Sequence, residues 1–309
     1  MANYAIVADI GGTNARFSRV DLTTNALDCV VVYPCADFAT LSLALNYYRT
    51  EQQLLDIDLV AIAIACPVTG DLVKMTNFYW EFSISAVKAE LGLSEFVVLN
   101  DFTAVAMSLP ALQAHELVKV GLGERDSTKP MAVLGAGTGL GVAHLIPTAQ
   151  GYIPLPGEGG HTDWTAQNEQ EWFIQRYLAA HFGHVSPERL LSGPGLESLY
   201  LALAAYRELK VEPLTAAAIS QAALDGSCEL CQAVVAQFLA SLGGMAGDLA
   251  LTLSTFGGVY VAGGITPRLL PLLADTKLTI FHCWQIVSFV PVSKRRGVLP
   301  LLIGRSQLM

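Results

Sequence analysis

Two glycine-rich turns and a strand-ending carboxylate are the first places where this chain could do chemistry. Asp9-Ile10-Gly11-Gly12-Thr13-Asn14 follows one apolar stretch, and Gly135-Ala136-Gly137-Thr138-Gly139-Leu140-Gly141 follows another. A backbone that must approach a phosphate needs residues without Cβ that can take φ > 0, so that successive N–H groups converge on an anion. Gly11, Gly12, Gly137 and Gly139 meet that demand, and Thr13 and Thr138 add hydroxyl donors at the same level. Tight β-hairpins use glycine for the same reason, so each turn alone also reads as a hairpin. The chain contains no G-x-x-x-x-G-K-[ST] and no G-x-G-x-x-G opening a helix after its first strand, which excludes the standard P-loop and Rossmann sites. Asp9, at the end of that strand, is placed either to hold a hydrated Mg²⁺ or to cap the turn.

Asn100-Asp101 closes the apolar stretch Phe96 to Leu99 and precedes a small-residue helix start. Side chains there project at the carboxyl end of a sheet, where α/β proteins gather ligands. Asn and Asp also cap helices routinely, and the pair by itself supports both readings. Pro156-Gly157-Glu158-Gly159-Gly160-His161 puts an acid and an imidazole on one glycine-rich loop, suited to vicinal hydroxyls of a pyranose or to a fragment of a metal site. Glu188, after Pro187, reads alone as first-turn helix stabilisation. Cys228 and Cys231 have C-x-x-C spacing in an Ala/Leu-rich helical region that lacks the further ligands tetrahedral zinc requires, so they read as helix packing.

The elements that must position these residues alternate as an α/β layer architecture does. Tyr4 to Asp9, Ala15 to Leu22, Cys29 to Tyr33, Leu59 to Ile64 and Phe96 to Leu99 read as strands; Thr40 to Leu55 and Ser85 to Leu91 read as amphipathic helices. The polar stretch Gly121 to Lys129 reads as a surface connection where a second domain starts. That domain opens with strands Met131 to Leu134 and Gly141 to Ile146, is mostly helical from Asn168 to Ser254, and returns to a buried strand at Val259 to Ala262. Both glycine turns thus lie in the first hairpin of a domain, which points to two similarly built halves facing a cleft.

Composition limits the function classes. The 309 residues are 52% hydrophobic and 15% charged, too apolar for disorder and long enough for roughly two domains. Eighteen Lys+Arg against 27 Asp+Glu give a net charge of -9, the wrong sign for a nucleic-acid binder. Six cysteines are too few for a disulfide scaffold, the N-terminus has no export signal, and the apolar runs are short or broken by glycine, so a cytoplasmic protein without a membrane role is expected.

The motifs Asp9 to Arg16, Gly135 to Gly141 and Gly257 to Gly264 together resemble the bacterial glucokinase family, of the hexokinase, actin and heat-shock chaperone superfamily. Ala65-Cys-Pro-Val-Thr-Gly-Asp71, Met75-Thr-Asn77, Leu99 to Val105, Pro156 to His161 and Pro187 to Gly193 match it as well. The resemblance implies a two-lobed actin-like ATPase (ribonuclease H-like) fold, with a small α/β domain at 1–110 and a larger α+β domain at 111–309. It implies ATP-dependent phosphorylation of D-glucose to glucose 6-phosphate at the entry to glycolysis, by a homodimer using Mg²⁺. Asp101 would be the base, with Asn100, Glu158, His161 and Glu188 as sugar ligands. Ala8, Asp9, Ile10, Gly11, Gly12, Thr13, Gly137, Thr138 and Gly139 would surround the nucleotide phosphates, with Gly263 and Gly264 by the adenosine. Asp9 would hold Mg²⁺, through water. A kinase for another hexose is the neighbouring reading.

After Ala274 the pattern departs from the family, which ends in a strand, a Pro-Gly-Leu-Leu-Gly-like turn and a helix returning to the small domain. Residues 275–309 instead run through Trp284, Phe289 and Lys294-Arg295-Arg296, an altered or frame-shifted end. A sugar-binding sensor that has lost turnover is the alternative this tail raises.

Overall fold

The computed structural model describes residues 4–120, 123–273 and the backbone of 287–289, so nearly all of the divergent tail lies outside the described residues. The chain divides into two compact units. One holds the described residues up to Leu112 together with Ala149–Tyr152; the other holds Gln113–Thr148 and the described residues from Ile153 onward.

In the first unit, β1 (Tyr4–Ile10), β2 (Asn14–Asp21), β3 (Leu27–Pro34), β4 (Leu59–Ile64) and β7 (Glu95–Asn100) form one sheet in the order β3-β2-β1-β4-β7. A small hairpin, β5 (Leu72–Lys74) and β6 (Glu81–Ser83), stands apart from it. β1 is buried on both faces, which is why it reads as an unbroken apolar run. Ile6, Ala8 and Ile10 join a core with Leu41, Leu45 and Tyr48 of α1 (Leu41–Glu51) and Val87 of α2 (Ile84–Glu90). Ala5 and Val7 join Ala104 of α3 (Asp101–Ser108) in a second core.

β1, β4 and β7 run parallel, with Ile10 opposite Ile64 and Ile64 opposite Asn100. That register delivers the ends of β1 and β7 to one edge of the sheet, two strand spacings or roughly 10 Å apart. α1 is tied to its surroundings by Arg49, only 5% exposed, whose guanidinium donates to the carbonyls of Leu91, Leu55 and Ile57. Arg49→Lys keeps the charge but cannot reach three carbonyls in a fixed fork. We expect it to cost about 2 kcal/mol, read as a lower urea midpoint at unchanged slope.

In the second unit, β8 (Val118–Val120), β9 (Met131–Ala136), β10 (Leu140–Thr148), β11 (Gly151–Gly157), β12 (Val259–Gly263) and β13 (Val287–Phe289) are ordered β11-β10-β9-β12-β13-β8. The hairpin β9–β10 followed by parallel β12 repeats the β1–β2–β4 arrangement of the first unit. Helices α4 (Glu169–Phe182), α5 (Gly193–Tyr206), α6 (Ala216–Leu224), α7 (Glu229–Leu253) and α8 (Thr266–Leu273) supply the rest of its core. α7 is long and apolar enough to cross a bilayer, but Val234, Phe238 and Leu242 are buried in that core, so its composition serves packing. The polar connection is not the boundary: the second unit begins earlier, at Gln113, because β8 pairs with β13.

Candidate active site

The first unit brings together Asp9, the 11–13 turn, Asn100 and Asp101. Asn100 is the N-cap of α3, its Oδ1 accepting from the N–H groups of Phe102 at 3.0 Å and Thr103 at 3.2 Å. Its Nδ2 donates to the Cys66 carbonyl at 3.3 Å and to Asp101 Oδ1 at 3.0 Å. The capping role is therefore real, and a substrate hydroxyl reaching Asn100 would have to displace one of these bonds. Cys66 was not singled out as a site residue, although it stands in the Ala65-Cys-Pro motif; its carbonyl orients Asn100.

Asp101 is held at one oxygen only. Oδ1 accepts from Phe102 N–H at 2.8 Å and from Asn100, whereas Oδ2 accepts no hydrogen bond among the described residues. Burial pushes its pKa up, against the lowering effect of the Phe102 N–H, and the negative charge of Asp9 pushes it further up. The thiol of Cys66 beside it is pushed up to about 11, by burial first and by the Asp101 charge second, so it stays neutral. Asp9 keeps 49% of its side-chain surface open, yet protein crowding still raises its pKa against the pull of Arg16, whose guanidinium lies 4.0 Å away. Arg16 is a second residue of the site that the motif contained and its reading left unassigned.

The turns are hairpins, as their alternative reading had it, and the φ > 0 requirement is corrected. Gly11, Gly12, Gly137 and Gly139 do not lie in the left-handed region; Gly263 does, at φ 91°. What Gly12 and Gly139 supply is space. A Cβ on Gly12 would come within 3.2 Å of Asn77, and one on Gly139 within 2.6 Å of Glu188 Oε2. The hairpins close through Gly11 N–H to Asn14 O and Gly137 N–H to Gly139 O. The N–H groups of Gly12, Thr13, Thr138 and Gly139 have no internal partner among the described residues, so each turn retains donors for an anion. Ala8 and Ile10 are fully buried, so their side chains belong to the core and serve to carry Asp9 and the turn.

The second unit brings Glu158, His161 and Glu188 to the 137–139 turn. His161 lies between two carboxylates, 4.0 Å from Glu158 Oε2 and 3.9 Å from Glu188 Oε1. Glu188 sits on a single 3₁₀ turn, Pro187–Arg189, and not in the first turn of an α-helix. Its Oε2 accepts from Leu140 N–H at 2.9 Å, bridging the end of the 137–139 turn to His161. Gly160 lets the 158–161 loop lie on β10, since a Cβ there would fall 2.2 Å from Leu140 O. Gly263 ends β12 opposite Ala136, the last residue before the turn, and Gly264 follows with open space around it.

Gly139→Ala would displace the Glu188 carboxylate from Leu140 N–H, because the intruding contact is with the end of a flexible side chain. Loss of that one charge-assisted bond is expected to raise the KM of the substrate bound beside it about tenfold with little change in melting temperature. Gly137→Ala, with nothing within 4 Å of its Cβ, is the steric control.

A sequence model of the glucokinase family matches residues 6–280. The chain belongs to this family. A glucokinase of Photorhabdus laumondii is 46% identical over 267 residues, covering 86% of this chain and 83% of that one. A glucokinase of Salmonella schwarzengrund is 46% identical over 270 residues, covering 87% and 84%. Among solved structures, a glucokinase from an Antarctic psychrotroph superposes with a TM-score of 0.88 at 33% identity, covering 100% of this chain and 99% of that one. A glucokinase from Streptomyces griseus, solved with glucose and AMPPNP, has the same fold at a TM-score of 0.56 and 19% identity, covering 99% and 98%. The two-part actin-like α/β fold expected from the motifs is therefore the family's fold.

Proposed function

We propose that this chain is a glucokinase that transfers the γ-phosphoryl group of ATP to the 6-hydroxyl of D-glucose. Family membership supports the reaction type, and one geometric observation carries the assignment of the base: Asp101 is half-buried, held at Oδ1 and unengaged at Oδ2. In phosphoryl transfer the transition state is loose, so the protein chiefly positions groups and stabilises charge. Asp101 Oδ2 orients the attacking hydroxyl and accepts its proton as the bond to phosphorus forms. Asn100 keeps Asp101 in place and is the neighbouring sugar ligand; Glu158, His161 and Glu188 take further sugar hydroxyls. The free N–H groups of the two turns bind phosphate oxygens, with Gly263 and Gly264 by the adenosine.

Mg²⁺ fits a site with few protein ligands. Among the described residues no cluster of three His, Cys, Asp or Glu is suited to a metal, and Asp9 offers one carboxylate, which matches an ion that keeps most of its water and binds phosphates. Asp9 would hold it through water; when bound, the ion neutralises charge on the phosphates. The reading includes a cytoplasmic homodimer acting at the entry to glycolysis, and light scattering on the purified chain tests the dimer.

Coupled assays of ADP release across glucose, mannose, fructose and N-acetylglucosamine test the substrate. The highest kcat/KM is expected with glucose; a higher value for another hexose would reassign the substrate, and glucose binding without ADP release would make the chain a sensor.

A further inference from the structure

The C-x-x-C pair does pack as read, with Cys231 in the helical core and Cys228 against it, and it also caps a helix. Cys228 is the N-cap of α7, with extended backbone at φ -141°, and its Sγ accepts the N–H of Cys231 at 3.4 Å. Cys231 is fully buried in the core, whereas Cys228 is half-buried, and both are free thiols. A half-buried thiol therefore caps a 25-residue helix and accepts the N–H of the second, buried cysteine three residues on.

We propose that the first turn of α7 is a thiol–disulfide exchange site, in which Cys228 attacks a low-molecular-weight disulfide of the glutathione type and Cys231 resolves the product. Cys228 thiolate forms a bond to one sulfur of the small disulfide and expels the other as a thiolate. Cys231 then gives up its proton and attacks Cys228 Sγ, closing the internal disulfide and releasing the second small thiol. The protein dithiol loses two electrons and two protons, which leave on two small thiols.

The electrostatics match this division of labour. The Cys231 N–H lowers the Cys228 pKa, as helix N-termini do for attacking cysteines, against the opposing effects of burial and, behind it, of Glu229 on the same turn. Burial pushes Cys231 up to about 12, which suits a resolving thiol that stays protonated until the mixed disulfide forms. A further titratable group near the pair is the buried Tyr200 phenol of α5, itself raised by burial. Cys29, Cys35 and Cys66 are all raised, chiefly by burial, so among the described cysteines Cys228 alone is predisposed to attack. In a reducing compartment such a pair is redox-sensing and transient, not a permanent staple.

The test is to equilibrate the reduced full-length chain in glutathione buffers of graded potential at neutral pH, quench by alkylation and map the peptides. A Cys228–Cys231 disulfide is expected, with Cys228 reacting about tenfold faster than Cys29. Cys231→Ser should trap glutathione on Cys228; Cys228→Ser, which keeps a good helix cap, should abolish both products. A stable glutathione adduct on Cys228 of the parent, or a pair that stays reduced while other cysteines react, would overturn the proposal.

Discussion

Asp101→Asn is expected to lower kcat by about 10²- to 10⁴-fold while glucose affinity stays within a factor of a few. The amide keeps an oxygen to accept the Phe102 N–H, so the start of α3 and the cap at Asn100 persist. What disappears is the only unengaged carboxylate oxygen of the residue, and with it the proton acceptor. The sign of the pH dependence follows from the same group. Burial raises the Asp101 pKa, so the protonated, inactive form survives to a higher pH than in an ordinary carboxylate of about 4. kcat/KM should fall as pH drops through that raised value, and the residual activity of Asp101→Asn should lack this limb. Titrating glucose into the variant by calorimetry separates lost chemistry from lost binding. An undiminished kcat would remove Asp101 from the mechanism.

Gly263→Ala is expected to destabilise the fold by more than about 4 kcal/mol, enough to leave little folded protein. Its φ of 91° is strained for any L side chain, and a Cβ would stand 2.4 Å from Ala136 O and 2.8 Å from Ala136 N. These are backbone atoms of the central β9–β12 pair, so no side chain can swing away. Gly264→Ala, one residue on, has nothing within 4 Å of its Cβ and no positive φ, and should change stability by no more than about 0.5 kcal/mol. Thermal melts of the two variants measure the contrast. Equal melting temperatures would show that the close approach of β12 to β9 is not as described.

Elements whose burial pattern is local were legible in the sequence. β1 reads as a strand because both its faces are buried, and the α4–α7 block reads as helical from composition. β11 is not among the strands the sequence predicts; its Pro154 and Pro156 are tolerated because it lies at the edge of its sheet. The motifs identified the residues of the candidate site but not the reason for each. Leu140 N–H and Glu188 are 48 residues apart, and Asn100 and Cys66 are 34 apart, so the contacts that fix Glu188 and Asn100 depend on tertiary packing. At Gly12 and Gly139 the backbone requirement expected of the turns is instead spatial. A missing Cβ has the same one-letter code whether it permits φ > 0 or makes room for Glu188.

The most direct measurement combines stoichiometry with regiochemistry. The purified chain is incubated with glucose, ATP and Mg²⁺, ADP is quantified, and the sugar product is examined by phosphorus–proton NMR. One ADP per sugar phosphate is predicted, with the phosphorus coupled to the protons on C6. Phosphate on another carbon, or ADP released with only inorganic phosphate, would contradict the transfer to the primary alcohol on which the account rests.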